Sequence, residues 1–374
     1  MSNLFSFFKV FISLVLDRRK KVLLTFYDLG LGGIQTKIID LANVLAKNSN
    51  NCVIVYLHKR SNFERDYLLD DSVIVLYNPT FLSSLVKNRY YYLLLAIFLC
   101  IKPEKVFISL EKASLFSIYW IERFKLNIQL IANIDTNYMF EQKVEDKFVS
   151  SLLNKAHTVV AVSKATYKDL KTRVGITSPP LKYLPNWTSE RKVATKKITE
   201  SIVFLGRFEP QKRPLLVLKF ALLAKKNGIK THIYMYGSGS LQTQMDNYIQ
   251  KYKLNSIVSI LSPTHNALEV LKKSKYMIVT SLYEGLSFAM LEAMSVGTPI
   301  LALKAPGVTE LVKDGKTGIL KTNINSLFKE FMKLQMAKDN SKYILLQRNS
   351  QKLQQKKYGF NAMMKVVSVI DAQS

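Results

Sequence analysis

Residues Ser281–Ile300 read SLYEGLSFAMLEAMSVGTPI, a pattern of loop, short helix and turn into a new strand. Glu284 stands in the loop and Glu292 in the helix, with Gly285, Leu286, Ser287 and Phe288 between them. Ser287 is placed to cap the helix, its hydroxyl accepting from an amide of the first turn. The first-turn amides and the positive end of the helix dipole attract an anion such as phosphate. Gly285 lets the backbone come close to a bound group, and Gly297-Thr298-Pro299 ends the helix. Two acceptor carboxylates beside an anion site suit a ligand that carries both phosphates and hydroxyls.

The sequence on either side of this stretch alternates. Upstream, Ile202–Leu205 reads as a strand that enters the loop Gly206-Arg207-Phe208-Glu209-Pro210-Gln211-Lys212-Arg213-Pro214 and then a helix. Strand His232–Tyr236 leads into Gly237-Ser238-Gly239 and another helix, and Ile257–Leu261, Tyr276–Thr280 and Pro299–Leu303 complete a parallel sheet. Beyond Gly318 the pattern is helical and basic, with helices expected at 327–336 and 343–357. The first half has the same design. Strand Lys21–Tyr27 runs into the turn Asp28–Gly33, and a helix follows with Ile34, Ile38, Leu41, Ala42 and Leu45 on one face. Strands are expected at 52–57, 73–76, 105–109, 128–132 and 158–162, and Ser163 caps the helix after the last. Short Val/Ile-rich runs between longer amphipathic segments indicate parallel sheets covered on both faces. Composition shifts at Thr177-Ser178-Pro179-Pro180 and at Pro185-Asn186-Trp187-Thr188, and a polar, basic linker follows. The expected architecture is therefore α/β. Its domains are 1–187, joined by a C-terminal helix at about 358–374, and 188–357, with a ligand cleft between two similar units.

A chain of 374 residues with 48% hydrophobic and 22% charged residues is globular, and its length favours two domains. The net charge is +27: residues 1–187 hold 25 Lys/Arg against 15 Asp/Glu, and the remainder 29 against 12. The positive charge is thus a property of the whole surface, suited to an anionic substrate or anionic lipid. No run of aromatics interleaved with basic residues marks a nucleic-acid platform. Cys52 and Cys100 lie in or beside apolar runs and are expected to be buried thiols in a reducing compartment. Residues 4–16 are mostly apolar and precede Arg18-Arg19-Lys20-Lys21. The run is shorter than the about 20 residues a membrane-spanning helix needs, and it lacks a signal-peptide cleavage site. It reads either as an interfacial helix with a basic flank or as a helix packed on the protein itself. The run Tyr90–Ile101 reads as a buried helix.

These residues carry a resemblance. Their order is Gly32-Gly33 with its helix, Ala161-Val162-Ser163, Leu184-Pro185-Asn186, Gly206-Arg207 with Lys212, Gly237-Ser238-Gly239, and Glu284 to Glu292 followed by Gly297-Thr298-Pro299. Gly307–Glu310 and Asp314–Gly318 follow. The series resembles the retaining glycosyltransferases of family 4, which have the GT-B fold of two facing Rossmann-like domains. The resemblance implies a nucleotide sugar held by Gly33, Gly206, Gly237, Ser262, Gly285, Leu286, Ser287 and Phe288, with no metal or other cofactor. It implies that Glu292 holds the ribose hydroxyls and that Glu284 lies beside the donor sugar. Arg207 and Lys212 would converge on the departing diphosphate, although in so basic a chain a solvated loop is the bland alternative. Many relatives carry a His where Asp135 stands here. Asp135 orients a sugar hydroxyl or is a turn residue, and none of His58, His157, His232 and His265 lies in a matching place. The expected activity is transfer of a hexose or N-acetylhexosamine to a glycan acceptor. Lipid-linked intermediates of surface polysaccharides (O-antigen, capsule, lipopolysaccharide) fit the basic surface. The expected location is cytoplasmic and peripheral on the membrane. The alternative is a non-catalytic protein of the same fold that binds sugar nucleotides or a membrane surface.

Overall fold

A computed structural model of the chain describes residues 2–30, 32–48, 51–57, 65–77, 89–109, 111–135, 146–177, 181–188, 199–337 and 340–372. The sequence features at Ser178–Pro180, the linker at 189–198, His58, Thr136 and Asn137 lie outside the described residues. The chain forms two compact units, one of Met1–Pro185 with Met363–Ser374 and the other of Asn186–Ala362.

The first unit opens with helix α1 (Ser2–Leu16). It continues as β1 (Lys21–Phe26), α2 (Gly33–Asn48), β2 (Cys52–Leu57), β3 (Ile74–Tyr77) and α3 (Arg89–Cys100). Then come β4 (Lys105–Ile108), α4 (Glu111–Arg123), β5 (Gln129–Ile134), α5 (Asp146–Leu153), β6 (Thr158–Ala161), α6 (Lys164–Thr172) and β7 (Leu181–Tyr183). The seven strands make one sheet in the order β3-β2-β1-β4-β5-β6-β7, and every pairing is parallel. Strands covered on both faces have no solvent side, and β2, β4 and β6 are buried at every position. On one face Leu23, Ile54, Val106, Ala132 and Val159 pack with Leu14 of α1, Leu94, Ile97 and Phe98 of α3, and Ile118 and Ile121 of α4. Ser163 caps α6 as expected, accepting from the Thr166 amide at 3.0 Å.

The second unit runs β8 (Thr199–Leu205), α7 (Pro214–Lys226), β9 (His232–Tyr236), α8 (Gln242–Tyr252), β10 (Val258–Leu261), α9 (Ala267–Lys273) and β11 (Ser274–Val279). It ends with α10 (Phe288–Ser295), β12 (Ile300–Leu303), α11 (Val308–Leu311), β13 (Gly318–Lys321), α12 (Ile324–Met336) and α13 (Ser341–Tyr358). Its six strands are ordered β10-β9-β8-β11-β12-β13, again parallel throughout. The last helix, α14 (Phe360–Asp371), lies almost wholly in the segment that returns to the first unit.

Several expectations need correction. Gly318–Lys321 is a strand, not the start of a helical tail; it pairs with β12, and Gly318 is required because a Cβ would stand 2.6 Å from the Ile300 carbonyl oxygen. The short edge strand β7 carries too few residues for a period-2 pattern to be read. Cys52 is buried, and burial pushes its thiol up to about 11, but Cys100 is exposed at the end of α3. Helix α3 buries only part of its surface, leaving Tyr92 and Leu99 exposed. The N-terminal run packs in part on the protein itself. Leu14 enters the core, with Val10 and Phe11 packed against it, while Ile12, Val15 and Leu16 face outward.

Candidate active site

In an open parallel sheet, ligands bind beyond the carboxyl ends of strands where the order reverses. In the second unit that place lies between β8 and β11, so the loop after β8 and the loop after β11 meet there. The Pro214 ring starts α7, and Arg213 before it adopts a left-handed conformation with φ 49°. That conformation sends the Arg213 guanidinium across the gap, where it donates to the carbonyls of Thr280 at 2.5 Å and Ser281 at 2.8 Å. Thr280 Oγ1 donates back to the Lys212 carbonyl at 2.8 Å. Gln211 completes the seam: its carbonyl accepts from Leu282 N at 2.7 Å, and its amide donates to the Tyr283 carbonyl at 3.1 Å.

This seam delivers two expected residues to each other. Lys212 Nζ lies 2.7 and 2.9 Å from the two carboxylate oxygens of Glu284, and Ser281 Oγ donates to Glu284 Oε1 at 2.6 Å. Glu284 is buried, and its amide donates to the Pro306 carbonyl at 3.0 Å. Beneath the loop, Gly307 at φ +76° passes so close to the carbonyl oxygens of Glu284 and Gly285 that any Cβ would collide with them. From the other side, buried Asn186 donates to the Leu286 carbonyl at 2.9 Å. The polar atoms of 280–286 are thus largely committed to the protein.

The next residues differ. Ser287 occupies the N-cap position of α10, but its side chain makes no capping hydrogen bond, which corrects the capping expectation. The first-turn amides of α10 therefore lack the internal acceptor that a capping hydroxyl would give them. Phe288 is buried, and Glu292 lies half-buried one turn further on. Arg207 does not converge with Lys212 on one point: it is exposed and donates to Gln211 Oε1 at 3.0 Å, whereas Lys212 is taken by Glu284.

The expected glycines divide by role. A Cβ at Gly237 would strike the Gly206 carbonyl, and one at Gly239 would lie 2.6 Å from the Phe208 carbonyl. With Gly206 N donating to Tyr236 O and Phe208 N to Ser238 O, these glycines let two loops of the protein close on each other. Ser262 is exposed immediately after β10. In the first unit Gly33 begins α2, and the turn before it is gripped by Arg65, which donates to the carbonyls of Gly30 at 3.0 Å and Gly32 at 3.2 Å.

Asp135, just past β5, is held in a buried network. Lys37 of α2 donates to Asn133 Oδ1 at 3.0 Å and pairs with Asp135 Oδ1 at 3.3 Å. Asn133 also donates to Asp135 Oδ2 and Ser109 Oγ. Burial raises the Asp135 carboxyl and lowers the Lys37 ammonium, and each partner opposes the other's shift. Both oxygens of Asp135 are thus occupied by the protein. Sequence reasoning missed Lys37 because it falls beside the apolar positions of an amphipathic helix. It missed Arg213, Asn186 and Arg65 because their partners are backbone carbonyls. Among the described residues no group of His, Cys, Asp and Glu is arranged to hold a metal ion.

Comparison with known proteins identifies the family and the fold. Residues 31–190 match the family model for Glycosyltransferase Family 4, and residues 186–341 match that for Glycosyl transferases group 1. A poly(ribitol-phosphate) alpha-N-acetylglucosaminyltransferase of Staphylococcus aureus is 27% identical over 198 residues, 51% of this chain and 39% of that protein. The Escherichia coli UDP-Gal:alpha-D-GlcNAc-diphosphoundecaprenol alpha-1,3-galactosyltransferase is 29% identical over 134 residues, 35% of each chain. In both cases the match spans less than two-fifths of the relative's length. Among solved structures, Anabaena HepE in complex with UDP and glucose superposes with a TM-score of 0.78 at 16% identity, covering 95% of this chain and all of that one. With one model on each unit and the GT-B architecture across both, the chain belongs to the family 4 glycosyltransferases.

Proposed function

We propose that the protein transfers a sugar from a nucleotide-diphosphate donor to a glycan acceptor on the route to a cell-surface polymer. The observation that carries this is the site in the second unit, where the Lys212–Glu284 pair at 2.7 Å sits beside the uncapped start of α10. In such a transfer the anomeric carbon–oxygen bond breaks, charge builds on the diphosphate, and the acceptor oxygen bonds to the anomeric carbon. The acceptor proton passes to the departing phosphate. Fixed donors aimed at the leaving group are the largest catalytic contribution. The amides at Ser287 and Phe288 supply them, Arg207 joins them by rotating away from Gln211, and Lys212 adds its charge from its place beside Glu284. Glu292 is assigned to the ribose hydroxyls and Glu284 to the donor sugar, a carboxylate already oriented by Lys212 and Ser281. The named activities of the two relatives favour an N-acetylhexosamine or hexose donor, a lipid- or polymer-borne acceptor and a product of α configuration.

A panel of nucleotide sugars, assayed by nucleotide release, tests the reading. One donor should be turned over, and Glu284→Gln should lower kcat by about 10²–10³ while keeping a cooperative melting transition. Full turnover in that variant would remove Glu284 from the mechanism. A β-configured product by NMR would overturn retention. Donor binding without turnover of any acceptor would favour the non-catalytic alternative.

A further inference from the structure

The first unit carries an apolar surface that its core does not use. Helices α1, α3 and α4 cover the same face of the sheet, each burying one stripe: Leu14, then Leu94, Ile97 and Phe98, then Ile118 and Ile121. The outward stripe of a surface helix is ordinarily polar. Here α1 exposes Ile12, Val15 and Leu16, the last at 73%; α3 exposes Tyr92 and Leu99; and α4 and the turn after it expose Tyr119 and Phe124. Trp120 knits the last two helices into one aromatic patch, its ring 5.0 Å from Tyr119, 5.7 Å from Phe124 and 6.5 Å from Tyr92.

The charges around these residues have one dominant sign. Lys9, Arg18, Arg19 and Lys20 flank the α1 stripe, and Lys102, Arg123 and Lys125 lie at the ends of α3 and α4, all exposed. The neighbouring acids are fewer: Asp17 pairs with Arg19, Glu104 with Lys20, and Glu122 stands 3.8 Å from Lys155, which leaves Lys9, Arg18, Lys102, Arg123 and Lys125 as the surplus. Aromatic rings with polar tips, aliphatic side chains and a surplus of Lys and Arg are the composition that settles at a lipid headgroup boundary. No helix among the described residues is long and apolar enough to cross a membrane.

We infer that the outward faces of α1, α3 and α4 form one docking surface for an anionic lipid bilayer, into which the Trp120 patch and the α1 stripe insert to headgroup depth. None of its residues is assigned to the donor site, so vesicle binding and nucleotide release are separate readouts, and either can fail alone. Complementarity of charge singles out the bilayer over a second copy of this chain, whose equally basic face would repel it.

The test uses the full chain and vesicles of phosphatidylcholine, either alone or with about 30% phosphatidylglycerol. Of the two tryptophans, Trp187 is buried in the second unit, so Trp187→Phe leaves Trp120 as the sole fluorescent reporter. Co-sedimentation should be about tenfold greater with anionic vesicles, with a blue shift of Trp120, and should be reversed by about 1 M salt. Leu16→Ser/Leu99→Ser/Phe124→Ser should lower it about tenfold. If that variant folds poorly, Arg18→Gln/Lys20→Gln/Arg123→Gln changes only exposed charges and should also release the protein. Absence of vesicle binding, undiminished binding by the charge variant, or an apolar face found buried in a dimer by light scattering would each overturn the inference.

Discussion

Lys37 and Asp135 are both almost fully removed from solvent, and their value lies in being present together. Breaking a buried ion pair by removing one partner strands the other charge and costs about 3–5 kcal/mol, whereas replacing both by apolar residues is often near neutral. Lys37→Met and Asp135→Leu are each expected to lower stability by that amount, and the double variant to recover most of the loss. Urea midpoints compared through a double-mutant cycle would show it. Asn133 and Lys37 hold both oxygens of Asp135, so the pair also fixes the carboxyl end of β5 against α2.

At the scale of elements, the site depends on backbones approaching more closely than a side chain allows. Gly307 begins the one-turn helix α11 and lies directly under Glu284 and Gly285. Gly307→Ala combines a left-handed backbone with a collision against two carbonyl oxygens, so it should cost about 3 kcal/mol or more and displace the loop that carries Glu284. Gly228 offers a control, because it has a similar φ of +64° with nothing within 4 Å of a Cβ. Gly228→Ala should cost only about 1 kcal/mol. Chemical denaturation gives both values, and nucleotide affinity should fall in the first variant alone. Equal losses would mean that φ, not the contact with Glu284, sets the requirement for glycine at Gly307.

For the whole molecule, the chain end matters more than its position in sequence suggests. Met363, Val366, Val367 and Ile370 of α14 are buried in the first unit, and Lys105 Nζ donates to the Ala372 carbonyl at 2.6 Å. Each fully buried aliphatic side chain contributes about 1.5–3 kcal/mol, and a domain's entire margin is about 5–15 kcal/mol. Deleting residues 363–374 should therefore unfold the first unit while the second, which ends at Ala362, keeps its own cooperative transition. Calorimetry would distinguish this from loss of both transitions or of neither.

The sequence by itself determined the alternation of strand and helix, the two-unit plan, and the candidate residues of the donor site, because periodicity, glycine turns and capping serines are local properties. Ser163 capping α6 and β9 at His232–Tyr236 needed nothing more. Only the tertiary structure decided which groups meet. Lys212 and Glu284 are 72 residues apart, and Lys37 and Asp135 are 98 apart. Their encounters follow from strand order, which no local pattern encodes. The same holds for Gly237 and Gly307, whose need for glycine comes from another segment's carbonyl, and for Ser287, whose hydroxyl was free to cap α10 and does not.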